Sequence, residues 1–215
     1  QQQAAIQFIK EVLKPGDGIS LFSVGLTPRR VKARTTSGEE AIQGILAIEP
    51  LKEPTAFFDS VVEAARYTEK STDTGSRRVL VVISDGEENF STRNDLDDAL
   101  RELQRNDCLF YAINPSGRGI RLNTISLKGQ SNLEAMASQT GGKAFNLAKL
   151  EELAWVFRLI AEDLQAQYLF GYYSADERAD GGFRRITVRS KRPNLRIRAR
   201  QGYYVPKAEE SQKEK

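Results

Sequence analysis

An aspartate, Asp85, follows an uninterrupted apolar run of this sequence after a single serine. Residues 79–83 are all valine, leucine or isoleucine, and Ser84, Asp85 and Gly86 follow at once. Ligands of open α/β sheets bind at the carboxyl ends of the strands, so an aspartate at this point can reach a cation while the glycine permits a tight turn. The alternative role is that of a cap for the loop or for the next helix. Asp85 is therefore a candidate metal ligand.

Two residue counts limit the chemistry that the chain can perform. Its 215 residues include no histidine and one cysteine, Cys108, which lies in an apolar run typical of a buried strand. Ser-His-Asp and Cys-His catalysis and imidazole zinc sites need residues that this sequence lacks. A Gly-x-Ser-x-Gly motif is also missing, and we expect no enzymatic activity. One cysteine forms neither an internal disulfide nor a cysteine-rich metal site, so a metal must use oxygen ligands, which favour Mg²⁺, Mn²⁺ or Ca²⁺.

Apolar residues recur along the chain with helical and strand periods in turn. The predicted strands are 19–24, 30–33, 79–83, 108–114 and 143–145. The predicted helices are 1–13, 37–48, 57–70, one capped by Thr92 or Asn94, one opened by a capping box at residues 131–134, and the longest at 149–167. This alternation predicts parallel βαβ units. The expected fold class is α/β, a doubly wound, mostly parallel, Rossmann-like sheet flanked by helices, over residues 1–167.

A different pattern begins after Gln167. Short runs with period-two alternation at 168–173, 183–190 and 195–200 are separated by turn residues, which predicts a C-terminal antiparallel β extension over residues 168–206. The extension contains nine Lys and Arg against three Asp and Glu, a balance of +6, so the rest of the chain balances at −3 within the total of +3. Residues 207–215 form a charged tail that we expect to be disordered.

The basic residues of the extension allow two interpretations. Arg196, Arg198 and Arg200 alternate with apolar residues, which is typical of the solvated face of a half-buried sheet, the interpretation that we favour. The other is an anion-binding face for an acidic protein, a surface polymer or nucleic acid, although the small net charge gives no reason to expect nucleic acid as a partner. Nearby tyrosines either stack on bases or anchor the extension, and we favour anchoring for Tyr172, Tyr173, Tyr203 and Tyr204.

Several segments resemble, in order and spacing, the von Willebrand factor type A (VWA) domain family. Residues 15–24 are similar to its Pro-Gly-Asp turn and following strand, residues 54–61 to its threonine-containing loop, and residues 79–87 to its fourth strand and the aspartate behind it. Residues 167–173 and 192–204 resemble the C-terminal extension of a bacterial subgroup, the VWFA-related domain proteins common in Acidobacteria.

The resemblance, which covers roughly residues 1–164, implies a non-enzymatic, adhesion-type module that binds a protein partner. In the family, Mg²⁺ or Mn²⁺ is held at a metal-ion-dependent adhesion site by an Asp-x-Ser-x-Ser motif, a threonine and an aspartate, and Thr55 and Asp85 match the last two. An acidic side chain of the partner would fill an open position of the ion. Most members of the subgroup are exported, which implies an extracellular or periplasmic location. The alternative is a metal-independent scaffold or anion-binding module that uses the arginine-rich strands.

One departure from the family bears on the site. The Asp-x-Ser-x-Ser motif and the first strand, which the family has directly before the first helix, are not found in this sequence. We therefore expect Thr55 and Asp85 to bind a divalent ion weakly or not at all. We also expect a gap in the sheet with two open edges, which favours strand exchange between copies in a homo-oligomer.

Three further acids have open roles. Glu53 lies either near the metal or in a solvated loop, and Glu87 and Glu88 either line the rim of the site or solvate a helix N-terminus. We favour the solvated role in each case. No apolar run of the sequence is long enough to span a membrane, since about 20 residues are needed.

Overall fold

Helices and strands alternate along the part of the chain that the computed structural model describes, residues 2–49, 53–72, 75–116, 124–175 and 178–207. The helices are α1 (Gln2–Val12), α2 (Gly38–Leu46), α3 (Phe57–Lys70), α4 (Leu96–Arg105), α5 (Thr124–Thr140) and α6 (Leu153–Gln165), with a 3-10 turn at Leu150–Glu152. The strands are β1 (Ile19–Ser23), β2 (Arg29–Thr35), β3 (Arg78–Ile83), β4 (Cys108–Asn114), β5 (Ala144–Asn146), β6 (Phe183–Arg185) and β7 (Gly202–Tyr204). No helix within these ranges is long and apolar enough to cross a membrane.

Three parallel strands form the centre of the fold, in the order β3, β4, β5. β3 and β4 pair from Arg78 opposite Cys108 to Ile83 opposite Ile113, and β5 pairs with the end of β4. β4 is buried along nearly its whole length, as expected for a strand covered on both faces. Cys108 is a buried strand residue, as predicted, and burial raises the pKa of its thiol to about 12.

Helices cover each face of this sheet. Because alternate residues of a strand point to opposite faces, Phe110 packs with α3, α4 and α5, whereas Tyr111 packs with α1 and α6. The rings of Phe8 in α1 and Phe157 in α6 are stacked with centroids 4.5 Å apart. This arrangement confirms the α/β class with helices on both sides of the sheet.

β1 and β2 form a separate antiparallel hairpin. The predicted strand at 30–33 is confirmed and extends over Arg29–Thr35. Within the described residues no ladder joins β1 to β3, so each of these strands keeps one edge without a strand partner. The side chains of β3 are only partly buried, apart from that of Val82. These features agree with the expected gap in the sheet.

Two helix starts differ from the prediction. Ser131 lies inside α5, so the capping-box pattern there does not begin a helix, and α5, with 17 residues, is longer than α6, with 13. α4 is capped by Asp95, in a reciprocal pair with Asp98, and not by Thr92 or Asn94. A capping pattern works only where the preceding backbone leaves the helix, and the residue types alone do not fix that point.

The C-terminal extension contains two short strands instead of three longer ones. β6 and β7 pair antiparallel, with Phe183 opposite Tyr204, whereas residues 168–173 and 195–200 form no strand. The antiparallel extension is confirmed. β6 occupies the start of the strand predicted at 183–190, whereas the strands predicted at 168–173 and 195–200 are wrong. The division of the chain at residue 167 stays a prediction, and the predicted disordered tail lies outside the described residues, apart from Lys207.

Replacement of Gly142 by alanine is expected to destabilise this fold. A β-carbon at Gly142 would lie 1.9 Å from the carbonyl oxygen of Phe110, so the segment between α5 and β5 would have to move away from β4. We expect the free energy of unfolding, measured by urea denaturation, to fall by about 3 kcal/mol. Gly171→Ala is the matched control, because nothing lies within 4 Å of a β-carbon there. Equal stability of the two variants would contradict the tight packing beside β4.

Candidate functional site

The turn behind β3 holds Asp85 in a fixed position. The Asp85 carboxylate accepts a hydrogen bond from the Glu87 N–H at 3.1 Å, and the Ser84 hydroxyl accepts one from the Gly86 N–H at 3.1 Å. Gly86 has a φ of +75°, which glycine adopts without strain. The turn lies against α5, since a β-carbon on Gly86 would be 2.5 Å from the Gly129 carbonyl oxygen. Packing and local turn geometry therefore both place Asp85 at the end of the strand.

The loop that carries Thr55 is joined to the segment behind Asp85 through its backbone. The Thr55 carbonyl oxygen accepts hydrogen bonds from the N–H groups of Asn89 and Phe90, at 3.1 and 3.2 Å. The N–H of Ala56 donates at 2.8 Å to the carbonyl oxygen of Gly25, between β1 and β2. Three loops thus meet here, two of which the sequence analysis had singled out.

Glu88 joins the same loops a second time, through its side chain. Its carboxylate accepts hydrogen bonds from the N–H groups of Phe58, Phe90 and Ser91, at 3.0, 2.7 and 2.6 Å. The Ser91 hydroxyl donates to this carboxylate at 2.6 Å and accepts from the Asp59 N–H at 3.1 Å. α3 has no side-chain cap of its own, so Glu88 and Ser91 cap it from another part of the chain. A helix-terminus role had been favoured for Glu88, but the sequence did not indicate which helix.

The other two acids near the site also hold loops. The Glu53 carboxylate accepts a hydrogen bond from the Leu26 N–H at 3.1 Å, which fastens the turn between β1 and β2 to the Thr55 loop. Glu53 is exposed, as favoured for a loop acid. The Glu87 carboxylate accepts a hydrogen bond from the Ser126 hydroxyl of α5 at 2.6 Å.

Asp59 is a buried acid that the sequence analysis did not single out. Its carboxylate accepts hydrogen bonds from the Asn94 amide at 2.7 Å and the Thr92 N–H at 3.2 Å, and the Arg93 guanidinium lies 3.7 Å away. Burial raises the pKa of Asp59, but these hydrogen bonds and Arg93 together outweigh it and bring the pKa below its ordinary value. The ionised carboxylate ties α3 to the loop before α4. An acid within the apolar start of a predicted helix is the sequence signal that could have identified it.

Thr55 and Asp85 each have a side-chain oxygen atom that forms no hydrogen bond with the described part of the chain. Among the described residues, the Thr55 hydroxyl forms no hydrogen bond and the second carboxylate oxygen of Asp85 accepts none. Both residues are partly exposed. Hydroxyl and carboxylate oxygens suit Mg²⁺, which prefers octahedral coordination. Within the described ranges, no group of three or more His, Cys, Asp or Glu side chains is placed to hold a metal ion. The two residues therefore fit such an ion in chemical type and complete only part of its coordination.

The C-terminal extension is attached at the end of the sheet opposite to the Thr55 and Asp85 loops. Arg198 forms an ion pair with Asp163 of α6, and Arg200 forms one with Asp107. Asp107 directly precedes β4, and Asp85 lies two residues after the end of the parallel strand β3. The attachment therefore lies at the amino ends of the strands, away from the Thr55 and Asp85 loops.

Tyr111 supports this attachment from within the core. Its buried hydroxyl donates to Asp163 and accepts a hydrogen bond from the Gln167 amide at 3.0 Å. Burial and the hydrogen bond to Asp163 raise the pKa of Tyr111, so the hydroxyl remains a neutral donor. Tyr172 and Tyr173 are 59% and 103% exposed, so the expectation that these two tyrosines anchor the extension is wrong. Two of the arginines that had been assigned to a solvated face anchor it instead.

The sequence matches a family model over most of its length. That model describes the von Willebrand factor type A domain, and the match covers residues 3–158. The chain belongs to the VWA family. VWA domains are generally protein-interaction modules, not enzymes. No curated protein matches the sequence at a significant level.

Solved structures show the same VWA fold at low sequence identity. An aerotolerance-related membrane protein from Bacteroides fragilis is 16% identical with a TM-score of 0.57, over 77% of this chain and 89% of that one. BatB from Bacteroides thetaiotaomicron is 14% identical with a TM-score of 0.56, over 76% and 84%. Proximal thread matrix protein 1 from the mussel byssus is 14% identical with a TM-score of 0.58, over 74% of this chain but 41% of that one. These similarities concern the fold alone.

Glu88→Ala is expected to loosen the loops at the carboxyl ends of the strands, which we call the carboxyl edge of the sheet. It removes the acceptor of four hydrogen bonds, including one to the first turn of α3. Hydrogen bonds to charged groups and helix caps are each worth one to a few kcal/mol, so we expect the free energy of unfolding to fall by about 3 kcal/mol. Chemical denaturation measures this change, and Glu69→Ala at an exposed position of α3 is the control. Similar losses for both variants would show that Glu88 does not hold the helix.

Proposed function

We propose that this VWA domain is a non-enzymatic module that binds a protein partner at the carboxyl edge of its sheet through a divalent cation. Thr55 and Asp85 are the proposed ligands. Family membership supports an interaction role. The observation that carries the proposal is the pair of hydrogen bonds from Asn89 and Phe90 to the Thr55 carbonyl oxygen, because they keep two loops with unused oxygen donors next to each other.

The chemistry of these donors favours Mg²⁺, with Mn²⁺ or Ca²⁺ as alternatives. A bound ion would supply a positive centre with open coordination positions, to which an acidic side chain of the partner is suited. Because Thr55 and Asp85 complete only part of the coordination, we expect weak binding of the free ion, with a dissociation constant on the order of 1 mM.

The charge at this edge supports a requirement for the ion. Asp85, Glu87 and Glu88 place three carboxylates within four residues, and Glu53 reaches the same group of loops. Without a cation, these groups repel an acidic partner, since like charges across an interface disfavour binding. The same negative potential attracts a divalent cation. Partner binding is therefore proposed to depend on the metal.

Titration with Mn²⁺, followed by paramagnetic broadening of backbone amide NMR signals, tests the site. We expect the strongest broadening around residues 55 and 85. Asp85→Asn keeps a hydrogen-bond acceptor for the Glu87 N–H but removes the charge, and should weaken binding at least tenfold, the effect of about 1.4 kcal/mol. Thr55→Val should also weaken it, whereas Thr55→Ser, which retains the hydroxyl, should not. A folded chain that shows no localised broadening, or that binds Mn²⁺ equally as Asp85→Asn, would refute the metal site.

The proposed location is extracellular or periplasmic. The support is the resemblance of residues 167–173 and 192–204 to the extension of a mostly exported bacterial subgroup. Detection of the protein in the periplasmic or secreted fraction of its native cells tests this proposal, and exclusive recovery from the cytoplasmic fraction contradicts it.

We also propose that copies of the domain associate through their open strand edges, as a strand-exchanged homo-oligomer. β3 has the apolar sequence of a central strand, yet it pairs only with β4 among the described strands, and most of its side chains are only partly buried. β1 likewise pairs only with β2. An unpaired apolar edge is a template for another strand, and exchange of identical elements produces closed dimers.

Light scattering coupled to size-exclusion chromatography measures this association. We expect the mass to rise from that of a monomer to that of a dimer or larger closed oligomer as the concentration increases, because association follows mass action. Hydrogen exchange should show slower exchange of the β3 amides at the higher concentration. A monomer at every concentration, with β3 amides that exchange at one rate, would exclude pairing through this edge.

A further inference from the structure

The chain from the end of β6 towards β7 contains an exposed segment, residues 185–197, which we call the basic arm. The Ile186 N–H donates to the Gln201 carbonyl oxygen at 2.8 Å, so the start of the arm lies beside the chain that follows its end. The returning chain is fixed to the main domain just beyond the arm by the ion pairs of Arg198 and Arg200. Every residue from 187 to 197 is exposed. The extension is thus held to the main domain by ion pairs next to an exposed loop.

The arm carries positive charge that no described residue neutralises. It contains five basic residues and no acid, and they are Arg185, Arg189, Lys191, Arg192 and Arg196. None of these five side chains forms an ion pair or hydrogen bond with the described residues. The neighbouring arginines behave differently, since Arg184 pairs with Asp180. The concentration of unpaired cations predicts an anionic ligand for the arm.

Large apolar side chains lie between these cations and are also exposed. Val188 is 49% exposed, Leu195 58% and Ile197 42%. A soluble polyanion would satisfy the cations but would leave these aliphatic groups in water. An anionic lipid bilayer satisfies both, because its surface attracts cations and its acyl boundary buries apolar groups. Long basic side chains can meanwhile extend to the phosphate layer.

Exposed aromatic residues lie in the segment 168–173, which approaches the strands that carry the arm. The Tyr172 ring makes an edge contact with that of Tyr203 in β7, with centroids 6.5 Å apart, which places this end of the segment 168–173 beside β7. Within it, Tyr168 is 86% exposed and Phe170 81%. Aromatic side chains are favoured at the boundary between headgroups and acyl chains, so this segment extends the surface that suits a bilayer.

We propose that the basic arm binds the surface of membranes that contain anionic phospholipids. The arm belongs to the extension at the amino edge of the sheet, so the proposal does not depend on a metal at Thr55 and Asp85. Membrane attachment through the arm would leave the opposite edge of the VWA domain available to a protein partner.

Vesicle flotation of the 215-residue chain tests this proposal. We expect binding to vesicles of phosphatidylcholine with about 30% phosphatidylglycerol, weaker binding at high salt, and little binding to pure phosphatidylcholine. Each basic residue near an anionic surface contributes about fivefold to partitioning, so a variant with Arg189, Lys191 and Arg192 changed to glutamine should bind about a hundredfold more weakly. The control changes Lys10, Lys14 and Lys70, which are exposed elsewhere, to glutamine, and alters the net charge equally. Its binding should be close to that of the parent.

A second variant separates a bilayer from a soluble polyanion. Serine in place of Val188, Leu195 and Ile197 retains all five cations, and should reduce vesicle binding at least tenfold because apolar burial contributes to partitioning. Binding of heparin, measured in parallel, should not change. Equal vesicle binding by the serine variant and the parent, or binding to heparin without binding to anionic vesicles, would identify a polyanion site and overturn the proposal. Equal binding by the two glutamine variants would overturn it as well, since the arm would then have no special role.

Discussion

The fold depends on β4 being covered on both faces. Phe110 and Tyr111 are neighbours in this strand, both are completely buried, and they belong to opposite layers of the core. Because consecutive side chains of a strand point to opposite sides, a strand in this position has to be apolar throughout, and helices have to supply both covering layers. The backbone of Gly142 comes so close to Phe110 that no side chain fits between them. This packing fixes the positions of the loops at either end of β4 and of its neighbouring strands.

Because the strands are parallel, all their carboxyl ends lie at one edge of the sheet and all their amino ends at the other. These two edges, the carboxyl edge and the amino edge, carry different residues. At the carboxyl edge, the Thr55 carbonyl oxygen and the Glu88 carboxylate hold the surrounding loops together, while one carboxylate oxygen of Asp85 accepts no hydrogen bond from the described residues. At the amino edge, Asp107 and Asp163 receive arginines of the extension. The first edge is where we propose that a cation and a partner bind, whereas the second is occupied by the protein's own chain and leads to the basic arm. The two proposed surfaces are thus separated by the length of the strands.

The tertiary contacts give several residues roles that differ from, or are more specific than, the predicted ones. Glu88 had been considered for the rim of a site or a helix N-terminus, and it caps α3, whose first turn lies 30 residues earlier in the chain. Arg198 and Arg200 had been grouped with Arg196 on a solvated face, yet they form the anchoring ion pairs. Tyr172, for which anchoring had been favoured, is largely exposed. A residue type defines which contacts are possible, and the partner is chosen by the fold.

The sequence by itself determined the α/β class, the order of the main elements and the position of Asp85 after an apolar strand. These features follow from local patterns, because the periods of apolar residues and the turn residues act over a few positions. The pairing of strands into a three-stranded sheet with a separate hairpin, the caps supplied from distant loops and the attachment of the extension were decided only by the tertiary structure. Each of them depends on contacts between residues tens of positions apart, such as Arg200 with Asp107, 93 residues away. Such contacts depend on the packing of whole helices and strands, so local sequence patterns do not predict them.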